Sequence, residues 1–308
     1  MRPGQAGRVI PPRPALAGHA AMLCFSAFVA GSFALGALVA PMVPPVALAA
    51  VRFALAAAVM AAVALAATGI PRAALRAPWR YAVLGGVFAV YFVLMFEGLK
   101  TAPAVSTAAV FTLTPLMSAG FGWLLLGQRL TGRMALALVI GAAGALWVIF
   151  RADLSALLAF AVGRGEAIFF AGCVAHALYT PLLRRLNRGE GALVFPVGTF
   201  AGGALVLFAF GWRDVAATDW RSLPPVFWAV LAYLTVIASA LTLVLLQFAA
   251  LRLPAAKVMA YTYLVPAWVI LWDIALGNPA PALRVGAGVA LTAVALLLLL
   301  REDGPAAP

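Results

Sequence analysis

Ten windows of about twenty predominantly apolar residues follow one another along this chain, at approximately 15–38, 45–67, 79–98, 103–125, 132–150, 164–185, 191–211, 223–248, 254–276 and 281–300. Each is long enough to cross a bilayer core, where every backbone polar group has to be paired within its own helix. Composition agrees, with 66% of residues hydrophobic, 10% charged and a mean hydropathy of +1.08, far above the make-up of soluble domains. The expected fold is an all-α membrane protein of ten transmembrane helices, with the lipid bilayer as its first partner.

The net charge of +12 is spread over short loops rather than gathered in one patch, so it sets orientation and argues against nucleic acid. Lys100, Arg151, Arg164, Arg213, Arg221 and Arg284 fall on one side and Arg52 within a span, while the other fourteen cations fall on the side of the N-terminus. That excess predicts a cytoplasmic (inner) membrane protein with both termini in the cytoplasm. Residues 1–14 and 301–308 are expected to be disordered tails. Cys24 and Cys173 lie inside predicted spans as packing residues, with no redox role.

The chain is also written twice. "FEGLKTAPA" at 96–104 matches "FAALRLPAA" at 248–256, Pro103 to Pro115 and Pro254 to Pro266 both span 12 residues, and the runs close on "LGQ" at 126–128 and "LGN" at 276–278. Gly18 to Phe33 aligns more weakly with Gly165 to Thr180. The repeats cover 15–150 and 164–300, joined by a loop at 151–163. Five spans is an odd number, so the second copy enters from the opposite face. The result is two inverted five-helix repeats around a central cavity, with a pseudo-two-fold axis in the membrane plane. Such symmetry argues for transport by alternating access, since two inverted halves can rock to open one site to either side in turn.

Several residues stand out against the apolar background. Pro115 and Pro266 should kink the fourth and ninth spans near mid-depth, because proline removes a hydrogen bond and clashes with the preceding turn; the kinks serve either as hinges or as static bends. Gly85 and Gly86 in the third span serve either close helix contact or flexing. The ninth span carries two stripes at helical spacing, Lys257, Tyr261, Trp268 and Trp272 on one and Tyr263, Pro266, Ile270 and Asp273 on the other, and one should face the cavity. Trp272 and Asp273 approach the outer interface, where an aromatic belt accounts for them.

His176 lies near the centre of the sixth span, one turn before Tyr179. Its imidazole bonds either a substrate or a neighbouring helix. Arg52, about eight residues into the second span and without an acidic neighbour in sequence, is read as a structural charge held by backbone carbonyls or a helix C-terminus. Lys257 either guides an entering carboxylate or sets orientation. Tyr91, Ser239 and Thr242 add polarity at mid-depth, the last two as hydroxyls that commonly bond their own backbone. Glu97 and Lys100 read as a surface pair. There is no His-Glu-x-x-His, no phosphate-binding Gly-Lys-Ser loop, no Ser/His/Asp set and no Cys or His cluster. No enzyme activity, cofactor or metal is expected.

The duplicated unit resembles the EamA-type transporters of the drug/metabolite transporter superfamily. The motifs are "PPVALAAVRFALA" at 44–56, "GLKTAPA" at 98–104, Pro115 and "LGQ", with their counterparts in the second half. Within that family it looks like the YddG-type exporters of aromatic and other amino acids. The resemblance implies a basket of ten helices whose cavity is lined by spans 1, 3, 4, 6, 8 and 9, with Tyr91, His176, Tyr179, Ser239 and Tyr263 at or near it. Gln128 and Asn278 stand where the family carries glutamates, which puts any coupling role of those acids in doubt, and His176 replaces a tryptophan.

The expected function is export of amino acids, aromatic and other neutral ones, or of similar amphipathic metabolites, by a protein working as a monomer. Tyr91, His176, Tyr179, Ser239, Lys257, Tyr261 and Tyr263 are the candidate substrate-binding residues. The alternatives are a multidrug or nucleotide-linked metabolite exporter and, in another class, a polytopic membrane enzyme.

Overall fold

A computed structural model describes residues 12–127, 131–159, 161–191, 193–250 and 255–300. Among them there is no strand. Nine helices are long and apolar enough to cross a bilayer: spans 1 (Leu16–Val39), 2 (Pro45–Ala67), 3 (Trp79–Leu99), 4 (Ala104–Leu126), 5 (Gly132–Ile149), 6 (Arg164–Leu186), 7 (Val194–Ala217), 8 (Pro225–Leu246) and 9 (Val258–Ala275). A shorter apolar helix, Val285–Leu300, is span 10. The chain is therefore a multi-pass, all-α membrane protein. Residues 1–11 and 301–308, Gln128 and the Lys257 side chain lie outside what is described.

Local chemistry sets the ends of the spans. Pro45 and Pro225 sit in the first turns of spans 2 and 8, where a missing N–H costs nothing. The duplicated Leu-Gly motif is a helix terminator: Gly127 and Gly277 both have positive φ, 64° and 84°, the left-handed conformation that closes a helix. Behind Gly277, the Asn278 N–H donates to the Asp273 carbonyl at 2.9 Å.

Packing repeats between the halves. Span 3 lies on span 6 as span 1 lies on span 8, span 4 lies on span 6 as span 1 lies on span 9, and spans 2 with 7 and 5 with 10 pair across the axis. Lipid tails are as apolar as the helices, so contact between spans depends on close fit. Small residues supply it. A Cβ on Gly85 would meet the backbone of Thr199 and Gly203 in span 7, one on Gly144 would meet the Gly288 carbonyl, and one on Gly98 the Gly165 carbonyl. Gly86 has more room, facing Val206.

Among the described residues four spans are not continuous α-helices, span 7 being kinked at Gly211, where φ is −112° and ψ 15°. Span 4 breaks at Thr112–Leu113 and restarts with Pro115 in its first turn. In span 9 a 3-10 turn, Tyr261–Leu264, precedes a helix with Pro266 in its first turn. The first break lies two to three residues before its proline and the second two to five, within the turn whose carbonyl the proline ring meets. Span 8 carries a π-helical stretch at Tyr233–Leu241. Span 6 has Pro181 near its end, and the Ala177 carbonyl that loses its donor accepts from Ser118 Oγ of span 4 at 3.3 Å.

Candidate functional site

Between the halves lies a cavity of about 160 Å³, close to the volume that accepts a benzene-sized body. The repeat determines its lining. The offset that aligns Gly18 with Gly165 pairs Val29 with His176 and Ser32 with Tyr179, and all four line the cavity. The offset that aligns Pro103 with Pro254 pairs Phe88 with Ser239, Tyr91 with Thr242 and Phe92 with Leu243, and all six line it. The same helix faces are thus used twice with different side chains. Spans 3 and 6 make an aromatic wall, while spans 1 and 8 make a wall of hydroxyl and aliphatic groups.

The aromatic wall is continuous. Phe88 stacks on Tyr179 with centroids 4.7 Å apart, Tyr91 meets Phe92 at 4.8 Å, and His176 lies 4.6 Å from Tyr91 and 5.2 Å from Phe111. His176 Nδ1 is buried and has no hydrogen-bond partner among the described residues. On the opposite wall, Ser239 Oγ donates to the Leu234 carbonyl at 2.8 Å, five residues back, and accepts from Arg52 Nε at 2.9 Å. The π-helical register makes that five-residue reach possible.

The cavity runs toward one face only. Leu183, Arg184, Leu246, Val258 and Met259 extend its lining toward the ends of spans 6, 8 and 9 on the side where the chain enters span 1. Toward the other face it is stopped by rings: Phe33 lies 5.7 Å from Phe111 and 5.8 Å from Phe169, all buried. Packing shows the same asymmetry. Span 1 lies on spans 3 and 4, whereas among the described residues span 6 makes no comparable contact with spans 8 and 9. The repeat offset puts Thr262 where Phe111 stands, so the open side lacks that ring.

On the open face the start of span 3 is tied to the end of span 6. Arg80 donates to the Leu186 carbonyl and to Glu190 Oε1, both at 2.6 Å, and to the Arg76 carbonyl at 3.1 Å. A cation on the last carbonyls of a helix is favourable. Burial opposes the charge on Glu190, but hydrogen bonds from Arg80 and from the Arg188 N–H hold its carboxyl below the ordinary value.

Of the residues singled out by sequence, Tyr91, His176, Tyr179, Ser239 and Thr242 come together at the cavity. Tyr261 and Tyr263 do not line it. The Tyr261 hydroxyl lies 2.9 Å from His19 Nδ1 in span 1, and the buried Tyr263 ring lies where a Cβ on Gly141 of span 5 would be. Trp268 Nε1 donates to Ser26 Oγ at 3.0 Å and Trp272 Nε1 points to the Ala27 carbonyl at 3.5 Å, so the Tyr261 stripe faces span 1. Trp272 is half-buried there. Glu97 and Lys100 do pair at the surface, at 2.8 Å. Phe88, Phe92, Phe111 and Phe200 line the cavity and carry no sequence signal of their own, because a phenylalanine facing lipid reads the same. Applying the repeat offset to His176 and Tyr179 would have found Val29 and Ser32.

The model of the EamA-like transporter family matches residues 16–150 and again 163–301. A protein of Bacillus subtilis (strain 168) named uncharacterized transporter YyaM is 28% identical over 267 residues, covering 86% of this chain and 87% of that protein. A crystal structure of a protein 22% identical in sequence superposes with a TM-score of 0.68, covering 94% of this chain and 96% of that one. The likeness to the crystal structure is one of fold.

Proposed function

The chain belongs to the EamA-like transporter family, and from that premise we propose that it exports small amphipathic metabolites, neutral and aromatic amino acids among them, across the cytoplasmic membrane. Both termini lie in the cytoplasm, the cavity described here faces inward, and the second state opens outward by alternating access. The protein works as a monomer, with one small-molecule site between its halves.

One observation carries this reading: the cavity is lined by repeat-equivalent positions that have become rings in spans 3 and 6 and hydroxyl or aliphatic side chains in spans 1 and 8. Rings offer apolar area and hydroxyls offer orientation, a combination suited to a body with one apolar and one polar end. Tyr91, His176, Tyr179 and Ser239 are the side chains that would touch it. Among the described lining residues Arg184 is the one charged side chain, too few for a polyanionic, nucleotide-linked substrate. The breaks before Pro115 and Pro266 are the hinges.

Uptake of labelled threonine, methionine and phenylalanine into proteoliposomes tests the proposal. Saturable flux of at least one supports it, and no saturable flux of any, with folded protein, removes the amino-acid assignment.

A further inference from the structure

Arg52 is fully buried in span 2, and no carboxylate pairs with it; the ion pairs among the described residues are Arg80–Glu190 and Lys100–Glu97. Its Nε donates to Ser239 Oγ at 2.9 Å, its Nη2 to the Ala238 carbonyl at 3.3 Å, and its Cζ lies 4.0 Å from the Phe92 ring centroid. A guanidinium has five N–H donors, and these contacts do not use them all. Nη1 is buried without a partner among the described residues, and so is the hydroxyl of Thr235 in the same π-helical stretch. An uncompensated cation inside a membrane is costly and is characteristically retained for an ion or substrate.

The surroundings say where such a counter-charge would sit. Ser239, Ala238 and Phe92, the three residues that hold the guanidinium, all line the cavity, so the charge stands one side chain behind its wall. The π-helical stretch turns the Ser239 hydroxyl and the Ala238 carbonyl toward Arg52. No aspartate or glutamate lines the cavity among the described residues. A bound anion finds a cation there, and a bound ammonium finds no counter-charge.

We propose that Arg52 is the recognition charge for a substrate carboxylate, and that the carried molecules are apolar or aromatic monocarboxylic acids for which an amino group is optional. The apolar body lies against Phe88, Tyr91 and Tyr179, and the carboxylate lies at the Ser239 wall, one side chain from the Arg52 guanidinium. This rests on the transporter reading of the same cavity.

Three labelled probes of one shape test it in proteoliposomes: 3-phenylpropionate, phenylalanine and phenethylamine. The wild-type protein should carry both carboxylates and disfavour the amine by at least about 10-fold, Arg52→Gln should weaken carboxylate transport by at least about 10-fold, and Arg52→Lys should recover part of it. An amine carried as well as the acids, or Arg52→Gln with unchanged carboxylate affinity, overturns the carboxylate assignment and leaves the transporter reading in place. No saturable flux of any probe by folded wild-type protein overturns both. If Arg52→Gln does not fold, an acid preference retained in Arg184→Gln assigns the preference to Arg52, and its loss there overturns the assignment.

Discussion

Arg52 and Ser239 are 187 positions apart in sequence, yet the Nε of the first donates to the Oγ of the second at 2.9 Å, joining span 2 of one repeat to the π-helical part of span 8 in the other. Ser239→Ala removes the acceptor and leaves a buried charged donor unpaired. A hydrogen bond to a charged group contributes about 1.5–3 kcal/mol, so the variant should unfold at lower temperature than wild type in the same detergent. An unchanged melting temperature would mean that Arg52 has another acceptor within reach.

The two broken spans make a different prediction. Pro115 and Pro266 each occupy the first turn of a second helical piece, where alanine is tolerated and also restores the N–H needed for a continuous helix. Pro115→Ala and Pro266→Ala should therefore fold with equal or greater stability and transport several-fold more slowly, measured as initial rates at saturating substrate. Unchanged rates in both would make the breaks static bends.

Gly85 tests the close fit between spans 3 and 7. Any side chain there meets the backbone of Thr199 and Gly203, which cannot rotate out of the way. Gly85→Leu should cost roughly 1–3 kcal/mol or more through overpacking, read as a lower melting temperature. Gly86→Leu, at the roomier neighbouring position, should cost less.

The Arg80–Glu190 pair predicts a pH dependence with a definite sign. The folded-state pKa of Glu190 is held below its ordinary value of 4.5. Its contribution is therefore fully present above that value and is lost as pH falls through the lower, folded-state value. Wild type should melt higher than Glu190→Gln at pH 7, and the gap should narrow as pH falls below 4.5 and close below the folded-state value. A gap that widens on acidification would contradict the pairing.

The spans were legible in the sequence because a bilayer demands runs of about twenty apolar residues, and the duplication was legible because Pro103 and Pro254 begin runs that stay in step. The phase of span 9 was not. A regular 3.6-residue period puts Tyr261, within the 3-10 turn, and Trp268 beyond it on one face, and they keep it, but period alone does not say that this face meets span 1 rather than the cavity. The π-helical stretch in span 8 left no local mark either, since nothing in "YLTVIASAL" departs from an ordinary apolar helix. Arg52 was visible as an anomaly, but its contact with Ser239 depends on tertiary packing between the repeats.

Thiol accessibility from each side of the membrane tests most directly whether two inverted repeats enclose a cavity reached from one face at a time. With Cys24 and Cys173 replaced, single cysteines at Leu183 and Leu246, on the open side of the lining, and at Ser106, buried on the closed side, are exposed to an impermeant alkylating reagent in oriented vesicles. Positions 183 and 246 should react only from the face bearing the N-terminus, and any condition that raises reaction at 106 from the other face should lower theirs in proportion. Simultaneous, equally fast reaction of both sets from opposite faces would describe an open pore and contradict the account.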